Sequence, residues 1–275
     1  MRCGREAARK GMNMPSPGSR AIQAAWPPIM MFLLLAISAE MIIRAMKVPA
    51  FLLPAPSAVL RTMWVDSGEL LANLATTAWA AVVGFGAAVV LGILFAILLS
   101  TSRFVQRALY PYMVFFQTVP VVAIAPLLVI WIEPGLKSVT ICALVVAIFP
   151  MIANTLTGLL SADPALRDMF TLYGAGWWAS LIKLRLPSAM PNIVTGMRIA
   201  AGLAVIGTIV GEFVAGELQG NAGLGVELLV AQKVGRTDLV FAAILVASLL
   251  GLSLFGLVNL TGHLLLRRWH ASERG

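Results

Sequence analysis

Six apolar runs, centred near Leu34, Ala88, Ala123, Val146, Ala204 and Leu250, constrain the fold of this chain more than any other feature. A helix that crosses a bilayer needs about 20 consecutive apolar residues. Inside hydrocarbon every backbone N–H and C=O must be bonded within the protein, so runs of this length are expected to be helices. The residues between them are too few for a sizeable soluble domain. The expected fold class is therefore all-α, a polytopic membrane protein of about six transmembrane helices. Composition agrees, with 60% of residues hydrophobic and 12% charged and a mean hydropathy of +0.91, outside the range of ordinary soluble domains.

In a soluble protein the formal charge of +8 would suggest a nucleic-acid surface. Here the basic residues lie mainly in short loops and at the ends, so the expected partners are membrane lipids and no nucleic acid. With both termini and the polar segment 163–191 placed in the cytosol, 14 of the 20 basic residues fall inside. They are Arg2, Arg5, Arg9, Lys10, Arg20, Arg103, Arg107, Arg167, Lys183, Arg185, Arg198, Arg267, Arg268 and Arg274. This asymmetry has the sign that the positive-inside rule requires. Residues 1–25 read as a disordered basic cytoplasmic tail and 26–275 as the membrane domain. The tail and first run also resemble a signal peptide, but the run continues through Met41-Ile42-Ile43 and fits an uncleaved anchor better.

Span one runs roughly from Pro27 to Ile43. After Pro49, Pro54 and Pro56 the sequence allows either an interfacial helix from Ser57 to about Leu74 or a plain loop. Span two carries Ala80, Gly84, Ala88, Gly92 and Ala96 at every fourth position, a small-residue face for close helix packing. Its partner, another span or a second copy, is open. Span three contains Pro111, Pro120 and Pro126. Prolines free backbone carbonyls that need partners or line a cavity, so Gln117 and Thr118 beside Pro120 read either as lining of a translocation pathway or as part of a kinked packing helix. Asn154 in span four, Ser138 to Leu160, and Glu212 near the outer end of span five, Asn192 to Val214, are further pathway candidates, with Glu212 facing an outer vestibule. Gly220, Gly223 and Gly225 read as a turn feeding an interfacial helix, and Arg267-Arg268-Trp269 as an interfacial anchor. Cys3, Cys142, His263 and His270 are isolated. No catalytic residues, metal ligands or cofactors are expected.

The segment from Asp163 to Pro191 interrupts this pattern between spans four and five. Asp163 before Pro164 is a helix start. Leu166, Met169, Phe170 and Tyr173 then make one apolar face, and Gly174 can end the helix in a left-handed conformation. A second helix starts near Trp177, and Pro187 is expected to stop it.

This segment resembles the cytoplasmic loop of binding-protein-dependent ABC importer permeases, in which Glu-Ala-Ala is followed by Gly and, thirteen residues later, by Pro. Gly174 and Pro187 keep that spacing, with Leu186 before the proline. Asp168, Met169 and Phe170 stand at the Glu-Ala-Ala positions, so the acid is kept in kind and both alanines are replaced. LPAPSAVL, QTVPVVAIAPLLVIW, FPMIANTLTGL and RIAAGLAVIGTIVGEFVAG are similar to the nitrate, sulfonate and taurine branch.

The resemblance implies a permease subunit, not an enzyme, in a bacterial inner membrane. It implies two copies of an ATPase subunit, a periplasmic or lipid-anchored substrate-binding protein and a second copy of the permease. Asp168, Gly174, Ala175, Gly176, Trp177, Leu186 and Pro187 would form the ATPase-coupling loop, a cytoplasmic coupling helix between spans four and five. The chain contains no G-x-x-x-x-G-K-[ST] phosphate loop, so ATP is bound elsewhere. The solutes implied are nitrate, sulfonates, taurine or thiamine- and riboflavin-related precursors. An ATP-independent secondary transporter or channel is the alternative, and it would usually carry ionisable residues deep in its spans.

Overall fold

The structure is a computed structural model that describes residues 17–219 and 223–267, with side chains over 26–215 and 223–264. In chain order the helices are α1 Pro17–Ala45, α2 Pro56–Val65, α3 Ser67–Ser100, α4 Arg103–Thr118, α5 Val121–Ile132 and α6 Leu136–Leu160. There follow α7 Pro164–Leu172, α8 Trp177–Ser180, a π-helical turn Leu181–Arg185, α9 Leu186–Gln219, α10 Leu224–Lys233 and α11 Thr237–Arg267. No strand occurs among the described residues. Among the described residues five helices are long and apolar enough to cross a membrane, and α4 with α5 forms a bent pair that, counted as one span, makes a sixth.

The small-residue face of span two finds its partner within the same chain. α6 lies between α3 and α9 at the centre of the bundle, and all five stripe residues are buried. A Cβ built on Gly84 would sit 2.6 Å from the Cβ of Ala143, and one on Gly92 would sit 2.5 Å from the Cβ of Met151. From the other side, Gly207 and Gly211 of α9 bring its backbone against Ala143 and Val139. Small residues on both faces of α6 let three backbones approach in a solvent where apolar burial between helices is not itself favourable.

Span three is broken, not merely kinked. α4 and α5 meet at 97° across Val119 and Pro120, because Pro120 has no N–H to continue the ladder and pushes Val119 to an extended conformation (φ −70°, ψ 123°). Arg185 Nη1 donates to the Ser100 carbonyl at 3.4 Å, so the end of α3 lies on the same face as the segment after α6. The α2–α3 and α10–α11 corners join on the opposite face, through Arg236 to Asp66 at 2.6 Å and Thr62 Oγ1 to Asp238 at 2.7 Å.

Two expectations need correction here. The helix expected from Ser57 to Leu74 ends at Val65, where Asp66 turns the corner with its carboxylate held by Arg236. The following residues open α3, which is 34 residues long. α1 starts at Pro17, inside the segment expected to be a disordered tail, and of its residues from Trp26 onward only Ile43 is buried. Residues 1–16, Gly220 and the Arg268-Trp269 anchor lie outside the described residues.

Candidate functional site

The segment between spans four and five is built from its first residue as expected. The Asp163 carboxylate accepts the Ala165 amide at 2.7 Å, and Pro164 occupies the start of α7. At the other end Gly174 has φ +67°. Its N–H donates to Thr171 O at 3.0 Å, and Ala175 N–H donates to Phe170 O at 2.9 Å. That pair of bonds is the Schellman arrangement, which requires the left-handed residue. A Gly174→Val variant is expected to lose about 1–2 kcal/mol of local stability and to weaken retention of any partner held by the segment, while thermal melting of the whole chain moves little. Comparing the variant's partner retention with its melting temperature checks this.

α7 has no buried residue and no extensive packing against another helix. Of its expected apolar face, Leu166 and Met169 are exposed and Phe170 is half-buried. Within this segment the most exposed apolar side chains are Leu172 at 87% and Tyr173 at 84%, followed by Trp178, which is set edge-to-face on Trp177, centroids 4.7 Å apart. Asp168 is exposed and Ala175 half-buried. Gly176 caps α8 through its carbonyl, which accepts the Ser180 amide at 3.0 Å.

Pro187 does not stop the second helix, contrary to expectation. The helix runs through it from Trp177 to Ala215 as one span of 39 residues. Ordinarily the proline ring clashes with the carbonyl four residues earlier. Here the chain widens to a π-turn over Leu181–Arg185, where the Leu186 N–H reaches back to Leu181 O, and the wider turn moves the Lys183 carbonyl aside. Leu186 and Pro187 are thus half-buried residues inside a continuous helix.

Arg167 was not singled out in the sequence. Its Nη2 donates to Leu160 O at 2.7 Å and Ala162 O at 2.9 Å, and its Nε donates to Ala162 O at 3.1 Å. These carbonyls lie at and just beyond the C-terminus of α6, where acceptors lack helical partners and the helix dipole favours a cation. The readable signal was an arginine one turn into a helix that follows a span end after three residues.

The pathway candidates are not brought together. Gln117 lines a cavity of about 290 Å³ at the α4–α5 break, with Phe116, Ile124, Val146, Phe149 and Leu203 around it. None of the lining residues is ionisable. Thr118 Oγ1 donates instead to its own helix, to Phe115 O at 2.7 Å. Asn154 Nδ2 donates to Pro150 O at 2.8 Å, against the α9 backbone at Gly196, so it bonds within its own helix.

Glu212 does not face a vestibule. It is 3% exposed, accepting Thr77 Oγ1 at 2.8 Å and the Gly225 amide at 2.7 Å. Asn73 and Thr77 accept the amides of Gly223 and Leu224, and Asn73 Nδ2 donates to Glu227 at 2.9 Å. The glycine-rich turn is therefore the N-terminus of α10 clamped onto α3 and α9. Glycine is needed there because a Cβ on Gly225 would lie 2.7 Å from the Cβ of Glu212. Burial pushes the Glu227 carboxyl above its ordinary value, with Glu69 adding to the effect and Arg236 opposing it.

Comparison with known proteins agrees with this architecture. The family model for the binding-protein-dependent transport system inner membrane component matches residues 88–265. The chain is 35% identical to the formylaminopyrimidine transport permease protein ThiX of Halalkalibacterium halodurans, over 88% of this chain and 95% of that protein. It is 34% identical to the riboflavin transport system permease protein RibX of Chloroflexus aurantiacus, over 94% of this chain and 96% of that one. In fold it is similar to the crystal structure of an amino acid ABC transporter with histidines, with a TM-score of 0.58 at 13% identity, covering 74% of this chain and 96% of that chain.

Proposed function

Because this chain belongs to the family of binding-protein-dependent transport system inner membrane components and is the permease subunit of an ABC importer, not an enzyme, we propose that residues 168–187 are the surface on which the separate ATPase subunit docks. The observation that carries this is the exposure of Leu172, Tyr173 and Trp178 on the outer face of the helix pair α7 and α8. Asp168 and the Gly174-Ala175-Gly176 hinge set the shape of that surface, and Trp177, Leu186 and Pro187 continue it into span five. Membership of the family implies ATPase and solute-binding partners. The assembly we propose has two copies of this chain, two ATPase subunits and an external binding protein, periplasmic or lipid-anchored. It sits in a bacterial inner membrane with both termini and the elbow in the cytosol, as the basic residues favour. ATP-driven closure of the ATPase pair then moves the elbows and rocks the spans between outward- and inward-open states.

The solute proposed is a small uncharged heterocycle of the pyrimidine or flavin kind, carried past Gln117. The two relatives of 35% and 34% identity are named for such solutes. The cavity at the α4–α5 break joins two aromatic residues and one amide with no fixed charge, a setting that suits a planar ring better than an inorganic anion. The test is uptake of labelled riboflavin, formylaminopyrimidine, taurine and nitrate into proteoliposomes holding the chain, its ATPase and its binding protein. ATP-dependent uptake of a heterocycle is expected, reduced about tenfold in Gln117→Leu by loss of one hydrogen bond of about 1.4 kcal/mol. Uptake of nitrate or taurine alone would refute the solute class.

A further inference from the structure

We propose that Arg167 is the positioning residue through which force applied to the elbow enters span four. The inference rests on the docking reading above. α7 is joined to the spans by two short corners, Ser161–Asp163 on one side and Gly174–Gly176 on the other, and it buries no side chain. A helix so attached would swivel when pushed and deliver nothing to the spans. The Arg167 guanidinium removes that freedom. Its three hydrogen bonds to the carbonyls of Leu160 and Ala162, at 2.7, 2.9 and 3.1 Å, fix the first turn of α7 to the end of α6.

The planar fork is what makes the joint stiff, since two carbonyls are held from one rigid group and not by a single ammonium on a flexible stem. Elsewhere the elbow grips the bundle differently. Toward span five it is one continuous helix through the π-turn, so displacement passes along the backbone. Toward span four the backbone route is the corner at Ser161, and the side chain must supply the stiffness. α6 is worth driving because it is packed along its length against both α3 and α9, where glycines leave no slack.

The test uses the whole transporter, permease with ATPase and binding protein, in proteoliposomes. Three quantities are read for Arg167→Ala and Arg167→Lys: ATPase copurifying with the permease, ATP hydrolysis, and solute taken up per ATP hydrolysed. For Arg167→Ala the ATPase is expected to copurify at the normal ratio and to keep hydrolysing ATP, while uptake per ATP falls about tenfold or more. Arg167→Lys is expected to fall between the alanine variant and the natural chain. Unchanged uptake per ATP in Arg167→Ala overturns the proposal. So does loss of copurification in Arg167→Ala that lysine restores, because that would place Arg167 in docking. If the alanine variant yields no folded complex, the lysine variant decides: normal copurification with reduced uptake per ATP supports the clamp, and full uptake per ATP overturns it. Failure of the docking reading itself is read separately, by whether changes at Leu172 and Tyr173 release the ATPase.

Discussion

Converting Leu172 and Tyr173 together to glutamate is expected to abolish retention of the ATPase subunit and, with it, ATP-driven uptake. The two side chains are 87% and 84% exposed at the tip of a helix with no buried residue. Large apolar residues held out on a short rigid helix are the kind that become anchors when a partner closes over them, at about 2 kcal/mol each or more. Losing both, and placing carboxylates in an apolar groove, would weaken docking by roughly 10³-fold. The permease itself should fold and melt normally, because changes at exposed sites that touch no packed neighbour usually move stability by no more than about 0.5 kcal/mol. Copurification from detergent, read beside a melting curve, separates the two effects. Normal retention of the ATPase by the double variant would remove the elbow from the docking surface.

The second large effect is expected in the bundle, where Gly84→Leu should leave little folded protein. A Cβ at this position already meets the Ala143 Cβ at 2.6 Å and the Thr140 carbonyl at 2.8 Å. The second of these is backbone, so α3 and α6 must separate before the rest of the leucine is placed. Overpacking of this kind costs about 3 kcal/mol or more. In lipid the added methylenes bring no compensating hydrophobic gain between helices. Gly86 is the control. It lies on the same helix, and a Cβ there meets nothing within 4 Å, so Gly86→Leu should behave like the natural chain. The measurement is monodispersity and melting temperature in detergent for the two variants side by side. Equal behaviour of both would show that the α3–α6 contact is looser than the geometry requires.

What could be read in advance follows the range of the interactions involved. The Asp163 cap and the Gly174 stop depend on hydrogen bonds spanning two to five residues, and both formed as the residues demanded. The Pro120 break is equally local, since a missing N–H has the same consequence wherever the helix sits. Pro187 looks the same in sequence and behaves differently. Whether a helix stops at proline or widens around it depends on what holds the flanking turns, and here Leu181 and Leu184 are buried against the bundle, so the helix passes through. Gln117 beside Pro120 could be named from sequence. Its cavity could not, because Phe149 and Leu203 come from two other spans.

Glu212 and Arg167 mark the boundary most clearly. Each is a charged residue next to a span end, a place where exposure to water is the ordinary outcome. Glu212 is buried because Thr77 lies 135 positions away in sequence and the Gly225 amide turns back onto it. Arg167 is bound because α7 folds beneath the end of α6. By itself the sequence determined that this chain is a helical membrane protein of five or six apolar spans with an elbow ahead of the span that begins at Trp177. Those properties come from run length, small-residue period, proline and capping chemistry, all of which act within a few residues. The tertiary structure decided which spans touch, which polar groups are satisfied by distant partners, and how the elbow is fastened to the spans it joins. Those choices rest on contacts between residues far apart in the chain, and a hydrogen bond or a close backbone approach exists only when both partners are in place.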